Sequence, residues 1–138
     1  MIYYLDTSVL VSLFVEDTHT RRARKILLTR PQLLISDFGA AEFASAISGL
    51  SLMGALRDFA PVSFYHNFDG WCARTTRRIP LGSEDIRVAE SWLRKLDLGI
   101  RTPDAMHLAI VQRMQAKLAT FDKKMALAAS KLGIAYVG

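Results

Sequence analysis

A single cysteine, Cys72, stands among the 138 residues, which excludes an internal disulfide and any cysteine-built metal cage. Long hydrophobic runs are missing too: the longest, near Val9 to Val15, is broken by Ser12 and falls far short of a bilayer's thickness. Met1 leads straight into Ile2-Tyr-Tyr-Leu-Asp, without the basic stretch and small-residue cleavage site of a secretory signal, so a cytoplasmic protein without membrane contact is expected. No glycine-rich phosphate loop is present, which argues against a nucleotide-binding module of that kind. Repeats, low-complexity tracts and linker-like stretches are also lacking. One domain over residues 1–138 is therefore expected, large enough to bury roughly two-thirds of its unfolded surface.

Acids are outnumbered: 13 Asp and Glu face 18 Lys and Arg, a net charge of +5. The bases gather at His19 to Lys25, at Arg74 to Arg78, and at Lys117, Lys123, Lys124 and Lys131. Any one cluster reads as a solvated helix face. The overall balance leans toward a polyanionic partner.

Short apolar runs alternate with longer helical patterns, the signature of a parallel sheet covered by helices. Ile2 to Leu5 reads as a strand ending in Asp6-Thr7-Ser8, whose side chains can cap the helix that follows. Leu33 to Ile35 reads as a second strand, followed by a helix from about Phe38 to Ser51 with Phe43, Ile47 and Leu50 inward. Residues 53–78 are the least legible and read as helix with a break near Pro61. Ile79-Pro-Leu81 suits a short edge strand, where proline is tolerated. Ser83 opens a helix with Ile86, Ala89, Leu93 and Leu96 on its apolar side. Thr102 followed by Pro103 reads as a cap and first helical position, with the helix running to about Gln115. Leu118 to Thr120, Lys123 to Leu132 and Ile134 to Val137 complete the alternation, with Gly133 as the helix stop.

Four acids occupy telling places. Asp6 and Asp122 each closely follow a short apolar strand and lead into a helix, so both point toward the crevice outside the carboxyl ends of a parallel sheet. Asp104 sits in the first turn of its helix, where free N–H groups favour an ionised carboxylate. Glu42 lies a turn inside a helix among Gly39, Ala40, Ala41 and Ala46, small neighbours that allow close approach to the sheet. Singly, each has a bland explanation as a cap, a turn residue or a solvated helix residue. Together they need neutralising. At about 5–6 Å and an effective dielectric near 20, each of the six pairs repels by roughly 3 kcal/mol. The resulting total of about 18 kcal/mol exceeds the stability of a typical domain, about 5–15 kcal/mol. Oxygen ligands select hard cations, so Mg²⁺ or Mn²⁺ is the natural occupant, and on a basic protein such a site points to phosphodiester chemistry.

Asp6-Thr-Ser-Val-Leu, Glu42, Arg101-Thr-Pro-Asp-Ala-Met-His-Leu-Ala109 and Leu118-Ala-Thr-Phe-Asp-Lys-Lys124, in this order and spacing, resemble the PIN-domain family. Within it the likeness is to the VapC-type toxins of toxin–antitoxin pairs, and it covers essentially the whole chain. The resemblance implies an α/β, three-layer fold with a central parallel sheet of about five strands flanked by helices. It implies Mg²⁺- or Mn²⁺-dependent endoribonuclease activity, inhibition by a small cognate antitoxin of the VapB type that occludes the acidic site, and homodimerisation. The family's acids carry over as Asp6, Glu42, Asp104 and Asp122, with Thr7, Ser8 and Thr120 as supporting hydroxyls.

Asp6 and Asp104 are expected to ligate metal directly, Glu42 either to ligate or to hold a metal-bound water as base, and Asp122 to bind a second metal or orient water. One or two metals both remain open, since Lys123 and Lys124 stand where some relatives place further acids. Arg101 either contacts phosphate or pairs with a structural acid. His107, one turn after Asp104, reads as a core or solvent-facing residue more readily than a ligand, because an oxygen-lined site needs no imidazole. Trp71 and Trp92 read as packing or interface residues, and Cys72 lacks an activating base. An aspartyl phosphatase would want a second acid where Ser8 stands, and a phospho-receiver domain paired acids where Thr7 and Ser8 stand. The rival that survives is a PIN domain without toxin activity, acting in RNA processing or as a binding module.

Overall fold

The computed structural model describes all 138 residues. Five strands alternate with seven helices: β1 (Ile2–Leu5), α1 (Thr7–Phe14), α2 (Thr20–Leu27), β2 (Gln32–Ser36), α3 (Asp37–Leu52), α4 (Pro61–Thr75), β3 (Thr76–Ile79), α5 (Ser83–Arg94), α6 (Thr102–Met114), β4 (Lys117–Ala119), α7 (Lys123–Lys131) and β5 (Tyr136–Val137). The strands form one sheet in the order β3-β2-β1-β4-β5, every neighbouring pair parallel. From β1 the chain steps outward to β2 and β3, then returns to lay β4 and β5 on the other side. The order thus reverses at β1, and a crevice opens at the carboxyl ends where β1 and β4 diverge into α1 and α7.

Side chains alternate across a strand, so the sheet divides the core in two. Tyr3, Leu5, Leu33 and Ile35 face one cluster, filled by Val9 and Leu10 of α1, Ala23 and Ile26 of α2, Phe43 and Ile47 of α3 and Phe68 of α4. Tyr4 and Leu34 face the other, with Trp92 of α5, Leu108 and Ile110 of α6 and Met125 of α7. Three layers follow: helices, sheet, helices. No helix is long and apolar enough to cross a membrane.

Several boundaries differ from the sequence reading. The edge strand lies at Thr76–Ile79 and stops at Pro80 instead of running through it, since proline has no N–H for the ladder. The last strand is confined to Tyr136–Val137, and Ile134 is buried just before it. Pro61 starts α4 at its first turn, after α3 has ended at Leu52 and a turn has intervened. Helix α6 is capped at Arg101, one residue earlier than the Thr102 expected.

The inward face of α5 is the largest correction. Asp85, Ala89 and Trp92 are buried, whereas Ile86 is 43% and Leu96 is 91% exposed. The cause is a bidentate pair: Arg113 of α6 donates from Nε to Asp85 Oδ1 at 2.8 Å and from a terminal nitrogen to Oδ2 at 2.9 Å. Gly82 N–H supplies a third bond to the same carboxyl at 2.9 Å. Trp92 is buried and Trp71 packs edge-on against Phe14 at 5.5 Å, so both tryptophans are packing residues.

Candidate metal centre

Asp6 is the first residue past β1, and its amide prolongs the ladder by donating to Ala119 O at 3.1 Å. It caps α1: Oδ1 accepts from Val9 N–H at 3.1 Å and from the Ser8 hydroxyl at 2.6 Å. The Thr120 hydroxyl donates to Oδ2 and in turn accepts from Asp122 N–H at 3.0 Å, tying the end of β4 to the end of β1. Phe121 N–H closes the seam by donating to Ser8 Oγ at 3.0 Å. Burial pushes the Asp6 carboxyl up, against the hydrogen bonds from Ser8, Thr120 and Val9.

Asp122 caps α7 through Oδ1, which accepts from Lys124 N–H at 2.9 Å and Met125 N–H at 3.1 Å. Asp104, at the third position of α6, reaches back to Arg101 N–H through Oδ2 at 3.4 Å, and this return contact sets the helix start one residue early. Burial raises the Asp104 carboxyl, and the charges of Asp122 and Glu42 add to the rise. The helix-terminus roles read from the sequence are thus filled by the same side chains that are the candidate site residues.

Glu42 rises from α3 between two donors. The Thr7 hydroxyl bonds its Oε1 at 2.7 Å, and His107 Nε2 bonds the same oxygen. Burial alone would raise this carboxyl, but the bonds from His107 and Thr7 prevail and it lies below the usual range. His107 is 2% exposed and sits in the core as expected, yet it is also wired to the acid. That contact was invisible in sequence. The one available signal was position: His107 follows Asp104 by one helical turn, on the same helix.

A pattern runs through all four acids. Each uses one oxygen for local anchoring: Oδ1 of Asp6, Oε1 of Glu42, Oδ2 of Asp104 and Oδ1 of Asp122. The other oxygens of Glu42, Asp104 and Asp122 make no hydrogen bond, and that of Asp6 accepts one. None pairs with lysine or arginine. As the side chains lie, no three come close enough together to grip one ion.

Bases flank the acids. Lys123 and Lys124 are exposed beside Asp122. The Arg22 guanidinium lies 5.0 Å over the Phe121 ring, on which His19 stacks at 4.9 Å. Arg101 is exposed and forms no ion pair, so the structural pairing considered for it does not occur. Burial pushes the Cys72 thiol up to about 11, which leaves it inert as a nucleophile.

A profile of the PIN domain matches residues 3–131. The chain belongs to the PIN-domain family. Ribonuclease VapC46 of Mycobacterium tuberculosis is 31% identical over 97% of this chain and 95% of its own length. Among solved structures, VapC20 of the same organism, described as a sarcin–ricin loop cleaving toxin, superposes with a TM-score of 0.72 at 18% identity, covering 98% of each chain. FitAcB of Neisseria gonorrhoeae gives a TM-score of 0.76 at 17% identity over 100% of this chain and 97% of that one. These PIN-like structures share the five-stranded parallel sheet between helices.

Proposed function

We propose that residues 1–138 form one PIN domain that acts as a divalent-cation-dependent endoribonuclease, the toxin of a toxin–antitoxin pair. The observation that carries this reading is that none of the four acids near the carboxyl ends of the strands pairs with lysine or arginine, while Asp122 and Glu42 lie close enough to Asp104 to raise its carboxyl. The donor set fits a hard cation: it is all oxygen, and burial, with the charges of Asp122 and Glu42, raises the Asp104 carboxyl. The VapC46 relative is named a ribonuclease, which supports RNA as the polymer cut.

Asp6 and Asp104 are assigned as direct ligands, with Glu42 as a ligand or as base toward the attacking water. Asp122 orients water or holds a second ion. Bound Mg²⁺ or Mn²⁺ supplies Lewis-acid stabilisation of the phosphate and a lowered pKa for water. The residues do the rest. Ser8 and Thr120 hold the Asp6 carboxyl in one orientation, and Thr7 does the same for Glu42. Arg101, Lys123 and Lys124, exposed and unpaired, neutralise RNA phosphates and steer the strand across the acids.

A small antitoxin is the expected inhibitor and a homodimer the expected assembly. Solved relatives include a VapBC2 complex from Rickettsia felis, which supports such a partner. A groove of about 560 Å³ between α1, α4 and the turn at 53–60, bordered by exposed Phe59, offers apolar area for one.

The test is cleavage of structured RNA by purified protein, with end sequencing. Cleavage that stops on chelation, returns with Mn²⁺ and is absent from Asp104→Asn supports the reading. Cleavage that survives chelation or Asp104→Asn overturns it.

A further inference from the structure

The core between the sheet and α6 contains polar groups that neither strand nor helix formation requires. Tyr4 and Ser36 are completely buried and His107 nearly so, beside Leu34, Leu108 and Ile110. Polar groups in such a place are costly unless every donor finds an acceptor. Here they do, and no buried side-chain polar atom lacks a partner.

The bonds form a single line with one direction. Gly39 N–H donates to Ser36 Oγ at 2.8 Å, the cap of α3. Ser36 and Tyr4 hydroxyls lie 2.7 Å apart, and Tyr4 Oη lies 2.6 Å from His107 Nδ1. His107 Nε2 meets Glu42 Oε1. A phenol keeps its proton at neutral pH. If Ser36 donates to Tyr4, Tyr4 to Nδ1, and Nε2–H to Glu42, every proton is used. The opposite direction starts with Nδ1–H donating to Tyr4 and leaves the Ser36 hydroxyl proton without an acceptor. The line therefore aims an Nε2 proton at the carboxylate.

The ring is held as well as polarised. Tyr4 and Phe38 pack on it with centroids 5.7 and 5.1 Å away. Gly39 makes room: a Cβ there would lie 3.2 Å from Ser36 Oγ and 3.6 Å from the imidazole edge. Thr7 and His107 then share Oε1 of Glu42, and Oε2 is left without a partner.

We infer that His107 is a positioning residue: steadied by Tyr4 and Ser36, it clamps Oε1 of Glu42 so that Oε2 alone is presented to the cation. This rests on the reading of Glu42 as part of the metal site. It also makes α6 a double contributor, since that helix carries Asp104 at the site and sets the aim of Glu42 on α3 three residues later.

The stereochemistry of amide side chains separates aiming from packing. A glutamine amide reaches the position of imidazole Nε2, whereas an asparagine amide reaches only that of Nδ1. Mn²⁺ affinity of the purified full chain is read by electron paramagnetic resonance of free Mn²⁺, with thermal melting recorded in chelator. His107→Asn is expected to weaken Mn²⁺ binding about tenfold or more, and His107→Gln to stay within about threefold of wild type. Both lose similar melting temperature, because each keeps one bond of the line and loses the other: His107→Asn keeps a partner for Tyr4 and His107→Gln one for Glu42. Glu42→Gln weakens binding as much as His107→Asn, and the double variant is no weaker than either alone. His107→Asn with wild-type affinity, or His107→Gln as weak as His107→Asn, overturns the inference while Glu42→Gln remains impaired. Wild-type affinity in Glu42→Gln instead overturns the assignment of Glu42 to the metal site.

Discussion

Two buried aspartates in this molecule, Asp6 and Asp85, are each 2% exposed, and they solve the same problem in opposite ways. Asp85 is closed: Arg113 grips both oxygens, Gly82 N–H adds a third bond, and the carboxyl lies below its usual range despite burial. Asp6 is open: hydroxyls and one amide steady it, no cation of the protein meets it, and burial raises its carboxyl. An acid matched by arginine is structural material. An acid that no lysine or arginine matches is, on the function proposed above, a candidate ligand for an external cation.

Replacing each aspartate by asparagine breaks the comparison most sharply. Asp6→Asn keeps acceptors for Ser8 and Val9, so its stability stays within about 0.5 kcal/mol of wild type or rises. RNA cleavage by it falls by about a hundredfold or more. Asp85→Asn cleaves normally but loses about 2 kcal/mol, less than the 3–5 kcal/mol of a fully buried pair because Arg113 is partly solvated. Urea unfolding and single-turnover cleavage on the same samples decide it. Loss of both properties in either variant would erase the distinction.

A ligand sharpens the contrast with a smaller effect. Mn²⁺ at ten times its dissociation constant stabilises the wild type by about 1.4 kcal/mol. Asp85→Asn gains the same increment over its own metal-free melt, and Asp6→Asn gains little. Differential scanning fluorimetry with and without chelator reads all three. An equal gain in Asp6→Asn would remove that residue from the metal site.

What was legible in sequence followed the same division. β1, β2 and β4 were readable because each is a short apolar run, and Asp6 and Asp122 were readable because they stand where β1 and β4 give way to helices. Asp104 announced itself by its place in a first turn. The inward face of α5 was misread because apolar spacing favours Ile86 and Leu96. What turns the helix is Asp85 meeting an arginine 28 positions away, a contact no local pattern contains. β3 was displaced for a related reason: Thr76-Arg77-Arg78 has no apolar alternation, and its pairing comes wholly from β2. Glu42 rested more on resemblance than on its small neighbours, since the contacts that hold it, Thr7 and His107, are 35 and 65 residues distant.

The smallest effect is the most discriminating, because it depends on the sign of each carboxyl's displacement. A raised carboxyl, such as Asp6, binds its proton more readily folded than unfolded. Its ionisation therefore subtracts stability above the folded pKa, and the penalty fades as the pH falls toward the unfolded value near 3.9. In chelator at pH 7, Asp6→Asn should equal or exceed wild type, and that advantage should shrink as the pH falls through the raised folded pKa and be gone by the ordinary aspartate value. A lowered carboxyl, such as Asp85, does the reverse. Its contribution is complete above the unfolded pKa and is lost only as the pH falls through the folded one. The deficit of Asp85→Asn should then persist past the point where the Asp6→Asn difference has closed, and shrink only in stronger acid. Melting curves of the three proteins from pH 7.5 downward give the two closing points directly. If both gaps close together near the unperturbed aspartate value, the open and closed carboxyls are electrostatically alike and the comparison fails.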